Sequence, residues 1–258
     1  QKEAVLYHRC KDGSLIRLLR EQLFPKSDNF VVAYPFFPMD ADLALKNIRW
    51  MRELRQPRTH EMRLFYETTT DRKIVNAIAE AASEVFSGVK HTPYRPVAGP
   101  NAAWKVVALE MQRVKRPWLW MEPDAVPLRQ DWLMTLQTKY SRCGKPFFGP
   151  IVPDMHHMNG TAIYPWNTPE LCPRTFADPN PYGFDVLMSG EVSSLIHDAS
   201  DMFHHTWVER SGQLKPHGPG EYPTFPHAES LKRLKKGAVL FHRNKDGTLI
   251  DRLREAKR

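Results

Sequence analysis

Glu122-Pro123-Asp124 is the stretch of this chain best suited to chemistry. It follows the apolar run PWLWM (Pro117–Met121), and a strand ending in carboxylates at i and i+2 points both toward one side of the sheet's rim. Two such acids suit a hard divalent cation and a ribose hydroxyl. The same pair also reads as ordinary cap-and-turn acids ahead of a helix beginning near Asp131. A second set, His242-Arg243-Asn244-Lys245-Asp246-Gly247, follows the apolar run AVLF near the C-terminus. His242 offers an imidazole to a metal and Lys245 a point charge to a phosphate oxygen. Turn amides beside Asp246-Gly247 can add an anion-binding nest, and a plain charged turn explains the same residues. Asp185, after the turn-forming NPYG, fits a general base, with Glu191 as its rival. His197, Asp201, His204 and His205 lie on and after a run that reads as helical. Neighbours on a helix face apart, so His204 and His205 cannot both serve one ion. Structural roles are the simpler reading for these and for His156 and His157, which fall in an expected loop.

The elements that must hold these residues alternate between strand and helix. Phe30–Tyr34 (FVVAY) reads as a short buried strand ended by Pro35. Asp40 or Asp42 can cap a helix carrying Leu43, Leu45, Ile48 and Met51. Arg63–Tyr66 reads as a second strand, and Asp71 caps a helix from Arg72 to about Phe86. A loop, HTPYRPVAGP, then leads to a helix opened by Pro100 or Asn101, and PWLWM is the third strand. This βαβαβ order implies a parallel sheet with helices on its faces, whose ligands bind beyond the carboxyl ends of the strands. Segments 145–183 and 208–230 are rich in Pro and Gly and read as short strands with long loops, which serve either as substrate lids or as surface connections.

Residues 4–23 and 238–257 are identical at 13 of 20 positions, each reading as a strand, an HRxKDG turn and a basic amphipathic helix. Each copy is expected to close a module, so that 1–27 is the tail of a preceding one, or to be a terminal decoration. Residues 28–258 are expected to form one domain in two halves, 28–144 and 145–258.

Composition narrows the field. The 258 residues are 41% hydrophobic and 26% charged, which excludes a disordered or collagen-like chain. The three cysteines Cys10, Cys143 and Cys172 form no CxxC pair, which argues against a disulfide scaffold and for a thiol-containing intracellular protein. No apolar run approaches the roughly 20 residues that span a bilayer, so a cytoplasmic protein without membrane insertion is expected. The net charge of +8 favours polyanionic partners. Arginines and lysines such as Arg49, Arg52, Arg113 and Lys232 form either solvated helix faces or a phosphate-backbone footprint.

The stretch GPNAAWKVVALEMQ…RPWLWMEPDAVPLRQDWL resembles the GT-A type glycosyltransferases, and the resemblance covers roughly residues 28–250. It implies a Rossmann-like, mixed but mainly parallel α/β sheet with helices on both faces and a loop-rich acceptor half. It further implies a divalent metal, Mn²⁺ or Mg²⁺, on Asp124 and His242, and Lys245 on a donor phosphate. Glu122 stands at the first position of the family's DxD motif, where it would meet the ribose. Tyr34 and Pro35 would hold the nucleotide base, with Tyr34 stacking on uracil. Asp40, Asn101, Trp104 and Lys105 would line the donor subsite, and Asp185 would be the base of an inverting enzyme. EPDAVP, MNGTAIYP and HRxKDGxLI are similar to glycosyltransferases of tailed bacteriophages, some relatives of which glycosylate hydroxymethylated pyrimidines in DNA. The implied function is metal-dependent transfer from a nucleotide-diphosphate sugar, UDP-sugar favoured, to a hydroxyl in DNA. Two other readings fit the residues: a metal-dependent phosphoesterase or nuclease on Asp124, His204 or His205, and His242, and a non-catalytic DNA- or virion-binding module.

Overall fold

A computed structural model describes residues 29–152, 156–178, 183–205 and 236–257. The first copy of the HRxKDG unit and segment 208–230 lie outside the described residues. The apolar run after Asn29 forms β1 (Val31–Phe36), whose six residues are all buried. A strand covered on both faces needs a continuous apolar run. β1 is followed by α1 (Ala41–Glu53), β2 (Glu61–Glu67), α2 (Arg72–Ser83), β3 (Gly88–Tyr94), α3 (Gly99–Val114) and β4 (Trp118–Trp120). β1 pairs in parallel with β2 and β4, and β2 with β3. The chain continues through β5 (Val126–Pro127), α4 (Trp132–Cys143), β6 (Phe147–Gly149), β7 (Ile151–Val152), β8 (His157–Met158) and β9 (Ile163–Tyr164). Three helices follow: α5 (Thr168–Leu171), α6 (Pro173–Ala177) and α7 (Phe184–Val192). The last elements are β10 (Ile196–Asp198), β11 (Phe203–His205), β12 (Leu240–His242) and α8 (Thr248–Glu255).

The central sheet has seven strands in the order β10-β6-β9-β4-β1-β2-β3. β9 runs antiparallel to both β4 and β6, so the sheet is mixed but mainly parallel. A small second sheet sets β12 between β11 and β5. It carries the C-terminal strand to the rim where β4 ends. Alternation along β1 separates two cores. Val32, Tyr34 and Phe36 pack with Ala44, Ile48 and Met51 of α1 and Ile78 of α2. Val31 and Ala33 pack with Trp104 and Val107 of α3 and Phe184 and Met188 of α7.

Three local readings need correction. β1 does not stop at Pro35 but pairs through Phe36 with Tyr66. The Val31 amide donates to Pro117 and Ala33 accepts from Met121, so odd-numbered polar groups face β4. β4 pairing ends at Ala33, and the N–H that Pro35 lacks falls beyond it, where no ladder bond is lost. The expected loop HTPYRPVAGP begins as strand β3, an edge strand whose mostly half-buried or exposed side chains leave no apolar alternation to read. The segment holding His204 and His205 is strand β11, not helix. Asp71 does cap α2, its Oδ1 accepting the Lys73 amide at 2.8 Å.

Candidate active site

The carboxyl ends of β1, β2 and β4 open onto a cavity of about 780 Å³. Pro35 and Phe37 beyond β1, Glu67 at the end of β2, and Trp120, Glu122, Pro123 and Asp124 at the end of β4 line it. Asp40, Val97, Gly99, Pro100 and Lys245 complete much of the wall. Binding at the carboxyl ends of parallel strands is the general habit of open α/β sheets.

Asp124 is buried, with its side chain 2% exposed. Its backbone carbonyl accepts the Asn244 amide at 3.0 Å, which fastens the β12–α8 turn to the end of β4. The turn closes with Gly247 at φ +73°, where a Cβ would lie 3.0 Å from the Lys46 side chain. The Asn244 side-chain oxygen accepts the Leu249 amide at 2.9 Å and starts α8. α8 is clamped to α1 by a two-oxygen pairing of Arg254 with Glu53 and by Lys46 to Asp251 at 2.7 Å. This framework brings His242 Nε2 to 3.1 Å from Glu122 Oε2 and 3.5 Å from Asp124 Oδ1. Lys245 Nζ sits 2.7 Å from Asp124 Oδ2. One ligand atom from each of Glu122, Asp124 and His242 falls within 4.8 Å of the others. Two carboxylate oxygens and an imidazole nitrogen are a donor set that fits a divalent metal ion.

The charges act on one another. Burial pushes the Asp124 carboxyl up, but the adjacent His242 and Lys245 overcome this and hold it well below the usual carboxylate range. Burial lowers the His242 imidazole, yet Asp124 and Glu122 outweigh it and raise the net value above the ordinary 6.5. Lys245 behaves likewise: withdrawal from solvent disfavours the ammonium, and Asp124 and Glu122 raise it. Asp40 is raised, first by burial and then by the Asp124 and Glu122 charges, against the opposing effect of Lys245. A group raised on folding stabilises fully below its ordinary value and loses that contribution as pH climbs through the folded value. In EDTA, the stability margin of wild type over His242→Asn in urea titrations is therefore expected to be full below the ordinary imidazole value of 6.5 and to shrink as pH rises above it. A margin independent of pH would contradict the pairing.

Several candidates sit elsewhere. Tyr34 is fully buried, its hydroxyl 3.4 Å from the Ala44 carbonyl, so its ring cannot stack on a base. The period-2 neighbours Pro35 and Phe37 face the cavity instead, and strand alternation is the signal that identifies Phe37. Asn101, Trp104 and Lys105 lie on α3 but brace residues 176–184. Asn101 Oδ1 accepts the Phe184 amide at 2.9 Å. Trp104 is buried against Phe184, with ring centroids 4.5 Å apart. Lys105 Nζ donates to the carbonyls of Phe176 and Asp178. On that helix Gly99 and Pro100 line the cavity. Asp185 lies outside the cavity lining, 3.5 Å from His157 Nε2, which belongs to β8 rather than a loop. Its rival Glu191 caps α6 by accepting the Arg174 and Thr175 amides at 2.9 and 2.7 Å. His197 and His204 stack on Phe148 and Phe241 in structural roles.

The mixed sheet, its cavity and the order of its elements make this a GT-A glycosyltransferase fold. The chain is similar to the galactosyltransferase LgtC solved with donor and acceptor sugar analogs. The TM-score is 0.55 at 8% identity, covering 88% of this chain and 94% of that one. An active-site mutant of LgtC matches with a TM-score of 0.53 at 8% identity, covering 88% of this chain and 95% of that one. The bifunctional glycosyltransferase WbbM matches at 0.54 and 10%, covering 85% of this chain and 46% of WbbM. No protein-family model and no curated protein sequence matches the chain. Among the described residues no helix is long and apolar enough to cross a membrane.

Proposed function

We propose that the chain is a metal-dependent glycosyltransferase that moves a sugar from a nucleotide-diphosphate donor, with UDP-sugar favoured, to a hydroxyl acceptor. The observation that carries this reading is the convergence of Glu122, Asp124 and His242 beside the strand-end cavity, whose wall includes Glu122, Asp124 and Lys245. Those three side chains would hold a divalent ion, and the ion would supply positive charge against the diphosphate as it leaves. Glu122 is grouped with the metal ligands here rather than with the ribose, because its carboxylate shares the His242 nitrogen. Pro35 and Phe37 offer an apolar wall to the base. Lys245 is suited to a phosphate oxygen, where its charge adds to stabilisation of the leaving group. Trp120 of the cavity wall packs on Phe184, 5.8 Å between centroids, and so joins the cavity to the α7 terminus that bears Asp185. On this reading Asp185, partnered by His157, serves the acceptor side.

For the acceptor we infer a hydroxymethylated pyrimidine in DNA. The support is the net charge of +8 and the likeness of EPDAVP, MNGTAIYP and HRxKDGxLI to phage enzymes. The test is a donor screen with Mn²⁺, offering several nucleotide sugars with and without hydroxymethylated DNA, read by mass spectrometry of the nucleosides. A hexose-sized gain on the modified base, dependent on both metal and nucleotide sugar, is expected. Turnover that leaves the DNA unmodified would remove the DNA acceptor and keep the transferase. Cleavage of DNA by metal alone would replace the transferase with a phosphoesterase.

A further inference from the structure

The Asp124 carboxylate, which the proposed ion requires, is already engaged by Lys245 at 2.7 Å. The two partners differ in setting: the Asp124 side chain is 2% exposed and that of Lys245 is 41% exposed. A carboxylate so buried needs a counter-charge, because an unpaired ion in the interior is strongly destabilising. The backbone beneath Lys245 is fixed by Asn244, whose amide reaches the Asp124 carbonyl and whose side chain starts α8. The ammonium itself rides on a four-carbon stem that reorients without moving that backbone. Asp124 and Lys245 line the same cavity.

We propose that Lys245 is the resident counter-ion of this site: it neutralises Asp124 until a divalent ion takes the carboxylate, and the displaced ammonium then moves onto the donor's diphosphate. The proposal rests on the metal-dependent reading given above. A dication bound through Asp124 Oδ1, the oxygen nearer His242, repels the ammonium held 2.7 Å from Oδ2 and neutralises the charge that holds it, which weakens the Lys245 pairing. The released charge can then pair with an anionic oxygen of the donor, in competition with the Glu122 and Asp40 carboxylates of the same cavity. Metal and nucleotide therefore reinforce each other through one side chain, and by linkage each must tighten the other by the same factor.

The test measures Mn²⁺ affinity of the full chain by electron paramagnetic resonance, with and without UDP, in wild type, Lys245→Gln and Lys245→Arg. Thermal melts verify that each variant is folded. Without UDP, Lys245→Gln is expected to bind Mn²⁺ about threefold to tenfold tighter than wild type, since the competing cation is gone, while Lys245→Arg stays near wild type. The tightening of Mn²⁺ by UDP is expected to be about tenfold smaller in Lys245→Gln than in wild type. Mn²⁺ affinity unchanged or weakened in Lys245→Gln, or a UDP effect undiminished, would overturn the proposal while leaving the metal site standing. Absence of Mn²⁺ binding in wild type, with UDP as well as without, would overturn the metal-dependent reading and this proposal with it.

Discussion

Asp124→Asn is expected to abolish Mn²⁺-dependent UDP binding and to lower sugar transfer on the order of a thousandfold. The amide matches the carboxylate in size but carries no charge and only one acceptor oxygen. Asp124 is the group that His242 and Lys245 both address, at 3.5 and 2.7 Å, so its loss weakens the Lys245 pairing and leaves His242 with Glu122. Glu122→Gln should lose less, because the Glu122 side chain is 27% exposed and reaches only the His242 edge of the cluster. Calorimetric titration of UDP in Mn²⁺ reads both variants against wild type. Equal UDP affinity in wild type and Asp124→Asn would remove the metal from the mechanism.

Trp104→Ala is expected to destabilise the fold by about 3–5 kcal/mol while leaving UDP affinity unchanged at temperatures where the variant is folded. The indole is fully buried, 4.5 Å from Phe184, 5.2 Å from Phe176 and 5.8 Å from Tyr164, centroid to centroid. Truncation leaves a hole among aromatic rings that hold α7 to α3, and rings so placed cannot close it. Trp104→Phe should recover part of the loss. Urea denaturation gives the stability and titration gives the affinity. Stability within about 1 kcal/mol of wild type, together with weakened UDP binding, would return Trp104 to the donor subsite.

The parts of the fold that could be read from the sequence were those whose burial is written locally. β1 and β4 are covered on both faces and appear as apolar runs, and Asp71 stands where a helix must start. β3 was not readable, because an edge strand with half-exposed side chains carries no alternation. The candidate site divides in the same way. Glu122 and Asp124 follow from a strand that ends in acids. No spacing argument joins them to His242; only the family resemblance did, and in the structure β12 and the Asn244 turn make the juxtaposition. The partners of Asn101 and Lys105, namely Phe184, Phe176 and Asp178, lie in a distant segment that no pattern on α3 announces. Tyr34 lies one residue out of register with the side of β1 that meets the cavity.

The most direct test is a crystal grown with UDP and MnCl₂ and measured at a wavelength where manganese scatters anomalously. The expected result is one strong anomalous peak within coordination distance of an Asp124 oxygen and of His242 Nε2, lying between them and the bound UDP. A peak bound elsewhere, or UDP seated in the cavity with no manganese between it and Asp124, would contradict the shared-cation site.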